Sequence, residues 1–161
     1  MNTERADFLA ALDQHRTFLR FAVQGVTDAQ ARARPTVSEL SLGGLVKHVA
    51  ATEHGWMRFA VFGPGASPED PAGRALEFTM GENETLQSLL DSYAKVAEET
   101  NALIAELDLD TAQPLPEAPW FEPGATWTVR RVLLHIIAET AQHAGHADIL
   151  RETIDGQKTM G

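Results

Sequence analysis

The sequence predicts an all-α fold, a four-helix bundle. Four segments carry apolar residues at three- and four-residue steps, and the linkers between them are rich in Pro, Gly and small polar residues. No stretch of strand alternation competes with these four segments.

The first helix is expected from about residue 4 to 23, with Phe8, Leu12, Leu19 and Val23 on its apolar face. A linker closed by Pro35 follows, and Ser41 is a natural N-cap for a second helix over Leu42 to Phe62, stopped by Gly63-Pro64-Gly65. The third helix places Leu86, Leu89, Tyr93, Ala97, Ile104 and Leu107 on one stripe, with charged and amide side chains elsewhere. A proline-rich linker then carries Pro114, Pro116, Pro119 and Pro123. The last helix opens near Thr128 and runs to Asp155, where Gly156 suits a C-terminal stop. Helices of roughly 20–28 residues are about 30–42 Å long, matched lengths that favour a bundle. The linker between the second and third helices, about eighteen residues at ~3.3 Å each, is long enough to run back along the bundle and leave those helices parallel. Aromatic residues in or beside the linkers (Phe62, Phe78, Trp120, Phe121, Trp127) are expected to pack over the bundle end.

The 161 residues suit one domain, 1–161, large enough to bury a core. A net charge of −10 argues against nucleic acid and anionic membrane surfaces as partners. No run approaches eighteen apolar residues, and the first residues have neither the positive nor the apolar region of a signal peptide, so a cytoplasmic protein is expected. The chain has no cysteine, which excludes disulfides, thiolate metal ligands and a cysteine nucleophile.

Histidine carries the functional signal. On the last helix, His135, Glu139, Gln142, His143 and His146 share an arc of about 100°, a polar stripe on an element that must bury part of its surface. Metal coordination satisfies such a stripe, and His48 on the second helix is the natural third ligand, with the small residues Gly44, Ala51, Thr52 and Gly55 leaving room around it. His48, Glu139 and His143 form a two-imidazole, one-carboxylate set with coordination positions left for a ligand, suited to zinc, nickel or ferrous iron. His135, Gln142 and His146 are candidates for supporting partners or substrate contacts. His15 and His54 read as ordinary core or surface histidines.

Two motifs, Ser41-Leu-Gly-Gly-Leu-Val-Lys-His48 and His135-Ile-Ile-Ala-Glu139-Thr-Ala-Gln-His143-Ala-Gly145-His146, resemble those of the DinB/YfiT-like metalloenzyme superfamily. The ending Ala147-Asp148-Ile-Leu-Arg151-Glu152 is similar to the branch that includes mycothiol-dependent enzymes. The resemblance implies an up-down-down-up bundle that binds a divalent metal, zinc or nickel foremost, through His48, Glu139 and His143. Many members have two histidines at the last-helix pair, whereas members similar to the maleylpyruvate isomerases have glutamate at the first position, as here. It further implies a thiol-dependent transferase or isomerase that takes a small-molecule thiol and a small electrophile, in a homodimer. Arg130, at the start of the last helix, is a candidate for binding a carboxylate on the thiol. A metal-dependent hydrolase and a non-enzymatic metal-binding bundle are the alternatives the same residues allow.

Overall fold

The computed structural model describes residues 3–66, 73 and 76–159. Four long helices match the expected segments closely: α1 (Thr3–Ala22), α3 (Leu42–Phe62), α4 (Leu86–Glu106) and α5 (Val129–Asp155). Their ends are set by local chemistry. The Ser41 hydroxyl accepts from Gly44 N at 3.2 Å, Thr128 caps α5 through Arg131 N, and Gly156 ends α5 in the left-handed conformation at φ 80°.

Two small elements stand in the linkers. A short helix, α2 (Asp28–Arg32), follows Thr27, whose side chain and that of Gln30 cap it reciprocally. In the proline-rich linker, β1 (Ala112–Pro114) and β2 (Thr126–Thr128) pair antiparallel, with Gln113 opposite Trp127. This three-residue ladder is the one departure from purely helical structure among the described residues, and it pins Trp127 at the entrance to α5.

Helix directions follow from what packs at each end. One apolar cluster joins the C-terminal part of α1 (Leu19, Ala22) to the N-terminal parts of α3 (Leu45, Val46) and α4 (Leu86, Leu89) and the C-terminal part of α5 (Leu150). The other joins Phe8 and Leu12 of α1 to Met57 and Ala60 of α3, Ile104 of α4 and Val132 of α5. So α1 and α5 run one way and α3 and α4 the other, an up-down-down-up bundle. The described end of the crossover between α3 and α4 lies along α3: Lys47 donates to Thr79 O and pairs with Glu84 at 3.0 Å.

Between the two clusters lies a buried polar layer. Arg16 of α1 forms an ion pair with Glu53 of α3, both fully buried, and donates to Asn101 Oδ1 of α4 at 2.9 Å. Tyr93, Thr100 and Thr140 are buried as well, and burial together with Glu53 pushes the Tyr93 phenol pKa up.

Candidate metal centre

His48 sits nearly two turns into α3, and Glu139 and His143 lie one turn apart on the facing surface of α5. The antiparallel run of α3 against α5 brings the three together. Each offers one ligand atom, and these atoms all lie within 4.8 Å of one another. His48 Nε2 is 3.8 Å and His143 Nε2 is 3.5 Å from Glu139 Oε2. Ligands about 2.0–2.2 Å from a tetrahedral ion are spaced roughly 3.3–3.6 Å apart, so these residues fit a divalent metal with little movement.

The electrostatics agree with that donor set. Burial, reinforced by the neighbouring His143 and opposed by Glu139, lowers the His48 pKa to about 4. Burial also holds His143 below the usual histidine range. Both imidazoles are therefore neutral at pH 7, the form that ligates. His48 Nδ1 is buried without a hydrogen bond, and the nearest carboxylate, Glu77 Oε2, stands 3.6 Å away. A buried nitrogen facing a carboxylate on the side away from the ligand atom is the arrangement that fixes a metal-binding histidine. On the other imidazole, His143 Nδ1 meets His146 Nδ1 at 3.3 Å.

A cavity of about 570 Å³ opens beside this cluster, within the range that holds small ligands. His48 and Glu139 form part of its floor, and Ala51, Thr52 and Gly55 supply the expected space along α3. Gly44, by contrast, lies under the crossover: a Cβ there would meet Phe78 O at 2.0 Å. That close approach seats the Phe78 ring against His48.

The other residues of the polar stripe divide. His135 lines the cavity, with Nε2 3.9 Å from Glu139 Oε1, and burial lowers its pKa. His146 stands behind His143, away from the cavity. Gln142 is exposed and outside the cavity lining. Arg130 is not brought to the site: it pairs with Glu4 of α1 and Asp110, so its guanidinium is already engaged on another face. His54 is exposed beside Glu99, and His15 lies edge-on to Phe18, both away from the cluster.

Several cavity residues escaped the sequence reading. Glu77 comes from the aperiodic crossover and gave no pattern signal, while Trp56 of α3 is one turn from Thr52 and could have been found; Phe59, at helical period from His48, is where the sequence places it. Of the linker aromatics, Phe78, Trp120 and Phe121 line the cavity, Trp127 backs it, and Phe62 is exposed.

Comparison with known proteins bears on the family and the fold. A family model described as mycothiol-S-transferase matches residues 7–156. A crystal structure of a conserved protein from Enterococcus faecalis is similar in fold, with a TM-score of 0.69, 17% identity, and coverage of 98% of this chain and 99% of that one. No curated protein matches the chain. Among the described residues no helix is long and apolar enough to cross a membrane.

Proposed function

The chain belongs to the mycothiol-S-transferase family, and on that premise we propose that it joins the sulfur of a low-molecular-weight thiol to a small electrophile. The observation that carries the reading is the convergence of His48, Glu139 and His143 beside a cavity of about 570 Å³ that His48 and Glu139 help to line. These three residues would hold a divalent metal, and their nitrogen and oxygen donors suit zinc, nickel or ferrous iron. When bound, the metal supplies a Lewis acid that lowers the pKa of a cosubstrate thiol toward neutrality.

The chain's own groups do the rest. The neutral His135 imidazole, on the cavity wall beside Glu139, accepts the proton released as the thiol ionises. The sulfur lone pair then forms the new C–S bond, and the electron pair of the broken bond leaves with the displaced group or moves into the electrophile's π system. Phe78, stacked on His48, and Phe59 exclude water from that side. With no cysteine in the sequence, the reacting sulfur comes with the cosubstrate. A homodimer belongs to the same reading, through the family likeness.

Metal content and consumption of mycothiol with monochlorobimane, measured on the same preparation, test the proposal. Metal-loaded protein should form the bimane thioether, and His48→Ala should lose both metal and turnover. Metal-loaded protein that conjugates no low-molecular-weight thiol would overturn the transferase reading, and thiol-independent ester hydrolysis lost on chelation would replace it.

A further inference from the structure

The cavity wall away from the metal cluster is built from rings. Phe59 meets Trp56 edge-on at 5.4 Å, Trp56 stacks on Trp127 at 4.8 Å, Trp127 meets Phe121 at 5.7 Å, and Phe121 meets Trp120 at 6.2 Å. The arc begins in α3, is carried across the linker by the β1–β2 ladder, and ends at the cavity mouth. Its inner members are packed, but Trp120 is 71% exposed although it lines the cavity. A large apolar ring left in water at the rim of a pocket is available to a ligand.

The charge of the described cavity lining is one-sided. Among the described residues the cavity lining contains two carboxylates, Glu77 and Glu139, and no Lys or Arg. Arg130 is engaged with Glu4 and Asp110, and Arg131 lies over the Trp127 ring at 4.2 Å, outside the lining. Away from the three metal-ligand candidates, an anionic ligand would lose water and find no cationic side chain in the described lining, whereas an uncharged planar ring loses little and finds π faces at stacking distance.

We infer that this aromatic arc is the electrophile subsite and selects planar, uncharged, conjugated electrophiles over anionic ones, with Trp120 closing over the ring. The inference rests on the transferase reading for the word electrophile, but the binding preference stands by itself.

Binding is therefore tested without thiol or turnover. Ligand-observed NMR titrations of the chelator-treated full-length protein, so that no metal ligates the carboxylate, would compare 2-naphthamide (planar, neutral), 2-naphthoate (planar, anionic) and adamantane-1-carboxamide (neutral, not planar). The naphthamide should bind at least about tenfold more tightly than the naphthoate, and more tightly than the adamantane amide. Trp120→Ala should weaken naphthamide about three- to tenfold, and Trp120→Phe should restore most of it. Because Trp120 is exposed, both variants should keep the parent's melting temperature. Equal or tighter binding of naphthoate, equal binding of the adamantane amide, or no effect of Trp120→Ala would each overturn the inference. If naphthamide binds as described and no thiol is transferred to any electrophile, the transferase reading fails and the subsite remains.

Discussion

The imidazole of His48 lies face to face with the ring of Phe78, their centroids 3.8 Å apart and their planes inclined by 20°. Phe78 belongs to the crossover and His48 to α3, so the loop holds one face of a metal-ligand candidate in place. The contact depends on Gly44, one turn before His48, where the absence of a side chain lets the Phe78 backbone come down onto the helix.

Gly44→Ala should therefore act at a distance from its own position. The new methyl would stand 2.0 Å from Phe78 O and 2.7 Å from its carbonyl carbon, both backbone atoms that cannot rotate aside. A destabilisation of about 1–3 kcal/mol is expected in urea denaturation, together with weaker metal binding as Phe78 leaves His48. A variant as stable as the parent would show that the crossover is not anchored there.

Glu77→Gln should weaken metal binding without unfolding the protein. The carboxylate oxygen 3.6 Å from the buried His48 Nδ1 favours the tautomer that leaves Nε2 free to ligate. Losing such a partner costs roughly 10–100-fold in affinity, readable by competition with a chromophoric chelator. An unchanged metal affinity would remove Glu77 from the site.

The Arg16–Glu53 pair should show strong coupling. Removing one partner, as in Glu53→Met or Arg16→Met, leaves the other's charge buried and unpaired and should cost about 3–5 kcal/mol. The double replacement Arg16→Met/Glu53→Met should recover much of that loss, because a packed apolar pair needs no desolvation of charge. Chemical denaturation of the three variants gives the cycle, and additive losses would count against the coupling.

Acid should destabilise the metal-free protein earlier than its carboxylates alone predict. Above pH 6.5 His48 is neutral in both folded and unfolded chains and contributes no pH dependence. As pH falls below that value the unfolded chain takes up a proton that the native His48, with its pKa lowered to about 4, refuses. The native state loses stability through that window, and His143 and His135 shift in the same direction. The melting temperature should fall between pH 6.5 and 4, and His48→Gln should flatten part of the slope. A parent curve that is flat across this range would contradict the neutral buried histidine.

Much of this structure was legible because helical period is a strong signal. It placed His48, Glu139 and His143 on two helix faces, and Ser41, Thr128 and Gly156 marked helix ends within a residue. Arg16 and Glu53 were also visible in principle, since each occupies a slot in an apolar stripe, one turn after Leu12 and one turn before Met57. Thr27 and Gln30 likewise have the spacing of the reciprocal cap that starts α2. Glu77 and Phe78 were not legible as site residues, because a crossover has no period and its contacts are set by the helices it returns along. Arg130 misled for a related reason: a cation near a helix entrance looks like an anion receptor until its partners on other elements, Glu4 and Asp110, are known.

The buried polar layer at the middle of the bundle has a consequence for how the chain tolerates change. Leu45 and Ile136 belong to apolar clusters on opposite sides of that layer. Cavities created at both positions should therefore cost the sum of the two single losses, because neither side can collapse into the other's void. In this protein the interior behaves as two independently tunable compartments sharing one charged partition, and sequence drift in one need not be matched in the other.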